Sequence, residues 1–194
     1  MKKSLPPSPV RRAPPRLRGE IECVLISRTH LHRRVRELAK QIEHDFAGRD
    51  LVVVSLLNGT VMFIADLIRS LGLPLRLDFI GVSSYGNGTV SRKLVFTKEL
   101  RLDVRDRDVL LVDDILDTGR TLAAVIAKLQ RLGPRQIKTC VLLNKPARRV
   151  ESVQADYSGF DIPDLFVVGY GLDYAERYRN LPFVGVLKPE MYGK

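Results

Sequence analysis

The chain has 194 residues, 45% of them hydrophobic and 28% charged, with a formal net charge of +10. That length suits one domain with a sizeable core, and the composition excludes a disordered or fibrous protein. No apolar run approaches the roughly 18 residues a membrane span needs, and the opening MKKSLPPSPVRRAPPRLRG lacks the apolar centre of a secretory signal, so a cytoplasmic location without membrane contact is expected.

The positive charge is unevenly placed. Residues 1–18 hold six of the 32 Lys and Arg and no acid, which leaves 26 basic against 22 acidic residues in the rest of the chain. This Pro-rich tail cannot bury a core and is expected to be disordered. The small excess on the body suits a polyanionic small substrate as well as it suits nucleic acid. Cys23 and Cys140 show no Cys-x-x-Cys spacing, so neither a metal site nor a disulfide framework is indicated. His30, His32 and His44 share one predicted helix, on which His30 and His44 lie too far apart to converge on a metal.

In chain order, Thr29 to Phe46 reads as a helix: Leu31, Val35, Leu38, Ala39, Ile42 and Phe46 recur at helical spacing, Thr29 can cap it and Gly48 can end it. LVVVSLL, residues 51–57, is apolar on both faces and β-branched, the signature of a central parallel strand. NGT and the helix VMFIADLIRSL follow, then a strand from Leu75 to Val82. SSYGNGTVSRK, residues 83–93, has a loop's composition. A strand is predicted over 94–99 and another over DVLLVDD. TLAAVIAKLQRL then reads as a helix closed by Gly133-Pro134, IKTCVLLN as a strand, and DLFVVGY as the last clear strand, before the polar GLDYAERYRNLP. Strands alternating with helices predict an α/β fold, a mostly parallel twisted sheet flanked by helices.

The chemistry concentrates in VLLVDDILDTGRTL, Val109 to Leu122. In an open α/β sheet ligands bind beyond the carboxyl ends of the strands, where this turn must lie. A helix starting near Thr121 directs unpaired N–H groups and the positive end of its dipole there. Thr118 and Thr121 add hydroxyls and Gly119 allows close backbone approach, so the turn forms a seat for one phosphate. It is no Walker loop, and no G-x-G-x-x-G follows a strand. A phosphate seat alone does not call for acids. Asp113 and Asp114 suit the hydroxyls of a ribose, and Asp117 projects toward whatever the sugar carries.

VLLVDDILDTGRT resembles the phosphoribosyl-diphosphate-binding motif of type I phosphoribosyltransferases. SLLNGTVMFIADLIR, DFIGVSSYGNGT, VLLNKPARR and DYSGFDIPDLFVVGYGLDYAERYRNLPFVGVLKPEMY resemble the hypoxanthine-guanine members segment by segment, from about Ile21 to Tyr192. The resemblance implies the type I fold in a single domain over residues 19–194, with a core of about 30–145 and a small hood from about 19–28 and 146–194. It implies Mg²⁺-dependent transfer of phosphoribosyl from phosphoribosyl diphosphate to hypoxanthine or guanine, and a homodimer or homotetramer.

By the same resemblance, Asp117 takes a proton at purine N7, a role typically worth roughly 10²–10⁴ in rate. Residues Asp117, Thr118, Gly119, Arg120 and Thr121 hold the 5′-phosphate, and Asp113 and Asp114 face the ribose and Mg²⁺. Lys145 donates to the purine O6, which an ammonium can do while rejecting a 6-amino group. Phe166 stacks on the base, Val167 offers its backbone to the base edge, and Asp173, also part of the purine site, makes a second contact to Mg²⁺, partly through water. Asn58, Gly59 and Arg179 take the pyrophosphate, and Ser84 and Tyr85 begin a lid that excludes water.

Three positions depart from the family pattern. Asn58 stands where a lysine is usual, in a segment whose peptide bond can be cis; Asp113 stands for a common Glu, and Leu165 for a frequent lysine. The alternatives are a xanthine-preferring transferase, a nucleotide-sensing RNA regulator on the same fold with the tail and KPARR as its electrostatic footprint, and a generic phosphate-binding module. The regulator has no use for the C-terminal purine block, the generic module leaves Lys145, Phe166 and Asp173 unexplained, and adenine is disfavoured by Lys145. Asn58 removes a charge from the pyrophosphate site, so Asn58→Lys is expected to lower the KM for phosphoribosyl diphosphate several-fold; steady-state kinetics showing no decrease would contradict this.

Overall fold

The structure is a computed structural model and describes residues 11–85 and 93–193. Strand β3 (Leu51–Leu57) lies near the centre of a six-stranded sheet in the order β5-β4-β3-β6-β7-β8, with β4 spanning Leu75–Tyr85, β5 Lys93–Lys98, β6 Asp108–Leu116, β7 Gln136–Asn144 and β8 Tyr157–Asp161. Every neighbouring pair is parallel except β4 with β5. The reading of 51–57 as apolar on both faces has its cause here, since β3 is covered on both faces, as is the apolar run 109–112 of β6.

Helices α1 (Arg28–Phe46) and α2 (Val61–Arg69) cover one face. There Leu31, Leu38, Ile42, Phe63 and Leu67 pack against Leu51, Val53 and Leu110. Helix α3 (Arg120–Gln130) covers the other, with Leu122, Val125 and Leu129 against Val52, Val54, Val109 and Leu111. A second, antiparallel sheet, called the hood below, has the order β1-β2-β10-β9: Arg11–Arg12, Ile21–Ile26, Val184–Leu187 and Val167–Val168; β8, in the 146–194 segment expected to join a hood, belongs to the main sheet instead. It has its own core of Ala13, Ile21, Val24, Val168, Phe183 and Leu187.

Several boundaries differ from the sequence reading. Helix α1 begins at Arg28 because the Ser27 hydroxyl, not Thr29, accepts the His30 amide at 3.4 Å. Of the tail expected to be disordered, residues 1–10 lie outside the described residues, but 11–18 are folded. Arg11 and Arg12 pair with Val24 and Cys23, Ala13 is buried in the hood, and Pro15–Leu17 form a 3₁₀ turn. The stretch DLFVVGY yields only the two-residue β9, because the chain turns away through Gly169 (φ 98°), Tyr170 (φ 52°) and Gly171 (φ 105°). Strands β8 and β10 escaped detection because each is short and carries a glycine. Gly159 in β8 lies where a Cβ would overlap the Leu142 carbonyl.

The β4–β5 hairpin is clamped at its base by Asp78. Its carboxylate accepts the amides of Phe79 (2.7 Å), Arg101 (2.6 Å) and Leu102 (2.9 Å) and the Lys98 ammonium (3.0 Å). Burial by itself raises the pKa of this group, but the donors from Leu102, Arg101, Phe79 and Lys98 outweigh it and hold the carboxyl at about 2, below its ordinary 3.8. The stability it contributes is therefore present above about pH 4 and lost as pH falls toward 2. Asp78→Asn is expected to lower the unfolding free energy by about 2 kcal/mol at neutral pH, read by urea denaturation, and the gap should narrow between about pH 4 and pH 2. A gap independent of pH across that window would contradict the assignment.

Candidate functional site

A cleft of about 280 Å³ opens where the carboxyl ends of β3 and β6 diverge, lined by Leu57 and Gly59 on one side and by Asp113 to Thr121 on the other. β3 leads through α2 to β4 and β6 leads through α3 to β7, on opposite sides of the pair, so this is the switch point of the sheet.

The turn after β6 has the form a phosphate seat needs. Gly119 sits at φ +87° and precedes the first residue of α3, so the helix starts at Arg120, one residue before the expected Thr121. The amides of Gly119 and Thr121 have no hydrogen-bond partner among the described residues, as the first turn of a helix leaves them. The carbonyls of the turn are taken from behind: Leu116 O accepts the Lys145 amide at 2.9 Å, and Thr118 O accepts the amides of Val150 (2.9 Å) and Glu151 (3.0 Å). The Arg120 side chain is exposed, and its amide meets the Thr118 hydroxyl at 3.4 Å.

Asp117 stands on this turn with its Oδ1 shut away from solvent and without a hydrogen-bond donor. Its nearest cation is Arg148, whose Nε is 3.5 Å away. Asp117 also lines the cleft. Asp113 and Asp114 lie at the floor. Burial first, then the neighbouring Asp114 charge, push Asp113 well above the usual carboxylate range; burial likewise raises Asp114, against the pull of Arg179. Two adjacent buried carboxylates cannot both ionise cheaply without a cation, and the Asp113 Oδ1 already accepts the Asp114 amide at 2.9 Å. Among the described residues no third His, Cys, Asp or Glu converges with them. A donor set of two acids suits Mg²⁺, which takes few protein ligands and fills its shell with water and substrate oxygens.

Just beyond β3, Gly59 faces this floor, while Asn58 beside it is exposed. The Leu57–Asn58 peptide is cis, and a Cβ at Gly59 would overlap the Asp114 carboxylate. Gly171 packs on the Gly59 carbonyl, where a Cβ would not fit. Arg179 donates to Gly171 O at 2.9 Å, which brings Arg179 near the Gly59 backbone. Asp173 is paired with Arg179 at 2.9 Å and accepts the Glu176 amide at 3.0 Å, so it stands apart from the Asp113–Asp114 pair.

The expected base-binding residues do not line the cleft itself but are tied to it by ion pairs. Lys145 follows β7, is buried, and its ammonium lies 3.2 Å from Asp164. Asp164 in turn lies 3.8 Å from Arg148, the cation beside Asp117. Phe166 is partly exposed and stacks on Tyr192 at 4.6 Å, with Tyr174 edge-on at 5.6 Å, so one ring face is backed by protein. Val167 is buried in β9, and Leu165 is exposed beside Phe166. The backbone of Ser84 and Tyr85 ends β4, while the lid expected after them falls on residues 86–92, outside the described residues.

Arg148, Arg149, Asp164 and Tyr192 were missed from the sequence. A single acid in a Pro-Asp pair and two arginines in KPARR carry no signal of their own. The RNA footprint read from KPARR does not survive the fold either, since Lys145 is buried and Arg149 is turned inward onto carbonyls.

Comparison with known proteins gives the same picture. Residues 27–175 match the family model of the phosphoribosyl transferase domain. The chain is 43% identical over 177 residues to the hypoxanthine-guanine phosphoribosyltransferase of Bacillus subtilis (strain 168), covering 91% of this chain and 98% of that one. It is 45% identical over 179 residues to the bifunctional protein TilS/HprT of Listeria innocua, covering 92% of this chain but only 28% of that relative's length. The crystal structure of a hypoxanthine phosphoribosyltransferase from Staphylococcus aureus superimposes with a TM-score of 0.89 at 40% identity, covering 94% of this chain and 100% of that chain.

Proposed function

The chain belongs to the phosphoribosyltransferase family, and from that premise we propose that it is a purine-salvage enzyme, moving 5-phosphoribosyl from phosphoribosyl diphosphate to N9 of hypoxanthine or guanine. The products are IMP or GMP and pyrophosphate. The observation that carries the reading is the combination on one turn of free amides and the Asp117 carboxylate, whose Oδ1 receives no hydrogen bond.

The amides and hydroxyls of Asp117 to Thr121 hold the 5′-phosphate at the N-terminus of α3. Asp113 and Asp114 orient the ribose hydroxyls and would hold Mg²⁺, which when bound would neutralise the charge of the diphosphate and of the two acids; Asp173, in the purine site, would give a further contact to it, partly through water. Asn58, Gly59 and Arg179 receive the pyrophosphate as its bond to C1′ breaks and N9 forms its own. The proton released by the purine passes from N7 to the Asp117 carboxylate, and Arg148 stands close enough to stabilise that carboxylate before the transfer.

Lys145 donates to O6 and so selects 6-oxopurines, Phe166 stacks on the base with Tyr192 behind it, and Val167 meets the base edge through its backbone. Asp164 holds the Lys145 ammonium in place across the base site. Ser84 and Tyr85 lead into the lid. The protein works in the cytoplasm as a homodimer or homotetramer. Among the described residues no helix is long and apolar enough to cross a membrane.

The test is nucleotide formation with Mg²⁺, phosphoribosyl diphosphate and each of hypoxanthine, guanine, xanthine and adenine. Hypoxanthine and guanine should turn over and adenine should not, and Asp117→Asn should lose roughly 10²–10⁴ in kcat, the worth of one positioned proton acceptor. No turnover of any purine, or an undiminished Asp117→Asn enzyme, would contradict the reading.

A further inference from the structure

Arg149 lies behind the turn and reaches no part of the cleft. Its guanidinium is committed to four oxygens: Nε donates to Asp117 O at 3.0 Å, Nη2 to Leu116 O at 3.1 Å and to Asn144 Oδ1 at 2.6 Å, and Nη1 to Val153 O at 2.6 Å. With the backbone donors of Lys145, Val150 and Glu151, this accounts for the carbonyls of Leu116, Asp117 and Thr118, all drawn away from the cleft. In a trans peptide the C=O and the next N–H point in opposite directions. Pulling the carbonyls of 116, 117 and 118 backward therefore turns the amides of 117, 118 and 119 forward.

Among the described residues Arg149 supplies the only donor to Asp117 O, at the centre of that row. Its stem also closes the space under Gly119, where a Cβ would come within 3.1 Å of the Arg149 Cδ and 2.8 Å of Val153. Through Asn144, the last residue of β7, the same guanidinium reaches the strand end that carries Lys145.

We propose that Arg149 is a positioning residue for substrate phosphate: it holds the turn 116–119 with its amides facing the cleft and keeps that turn in register with the strand end bearing Lys145. This rests on the reading that the turn seats the 5′-phosphate. A lysine cannot replace it fully, because an ammonium has three donors on one point, whereas the guanidinium forks across oxygens on separate segments.

The experiment compares Arg149→Gln, Arg149→Lys, Thr121→Val and Arg34→Gln with the wild type. Arg34 is a buried arginine that ties α1 to the carbonyls of Ser158 and Gly159 and controls for loss of a structural guanidinium. The readouts are the KM for phosphoribosyl diphosphate, the KM for hypoxanthine, the Kd for ribose 5-phosphate and the Tm. For Arg149→Gln, the KM for phosphoribosyl diphosphate and the Kd for ribose 5-phosphate should rise about 10- to 100-fold, the loss expected for one or two charge-assisted hydrogen bonds, with the KM for hypoxanthine within about threefold. Arg149→Lys should recover only part of this, and Arg34→Gln should lower Tm without moving either substrate constant.

If Thr121→Val weakens ribose 5-phosphate binding but Arg149→Gln does not, the proposal is wrong and the phosphate seat stands. If neither variant changes it, the phosphate reading itself fails and takes the proposal with it. Equal losses for both substrates that track Tm, as a purely structural arginine would give, also overturn it.

Discussion

Two parallel neighbours that feed helices on opposite faces of a sheet must part company at their carboxyl ends. β3 and β6 are paired from Leu51 with Asp108 to Ser55 with Val112, and beyond that register the chain of one goes to α2 and the other to α3. The cleft is the gap that this divergence leaves. Everything chemical in the molecule is placed by it: the acids at the end of β6, the amides that open α3, and the Asn58–Gly59 step at the end of β3. The apolar cores on either face fix the strands, so the gap is held open by packing rather than by the groups that line it.

Charge is distributed in that gap in a way that leaves room for a ligand. Asp113 and Asp114 are buried side by side, an arrangement that favours a proton or a cation between them. Arg179 and Gly171 close one end against Gly59, and Arg148, Asp164 and Lys145 form a chain of ion pairs at the other. Cations thus stand at both ends and acids in the middle, with free amides along one wall. Exposed ion pairs such as Arg148–Asp164 contribute little to stability, so their exchange for substrate contacts costs little.

How much of this was legible in the sequence depended on periodicity and on local chemistry. β3 and β6 were visible because burial on both faces demands unbroken β-branched and aliphatic runs, and α1 because its buried side chains recur every three to four residues. The phosphate turn was visible because glycine, two threonines and an acid on one strand-to-helix turn is a chemical pattern. The shortest strands were hard to read because β1, β8, β9 and β10 are two to five residues long, too short for periodicity to show. The order of residues 11–18 was missed because it comes from strand pairing with Val24 and Cys23, a partner that composition cannot reveal. Arg149 illustrates the same limit: an arginine bound to four internal oxygens and one presented to solvent look alike in a sequence.

The central claim is that one turn seats the phosphate, holds the ribose and accepts the proton. Its most direct test is a crystal structure of the chain with IMP and Mg²⁺. The account expects the phosphate oxygens about 2.7–3.2 Å from the amides of Thr118 to Thr121, purine N7 facing the Asp117 carboxylate, O6 on the Lys145 ammonium, and the base against Phe166. A nucleotide bound the other way round, with its phosphate on Lys145 and its base on the turn, or bound outside the β3–β6 cleft, would contradict it.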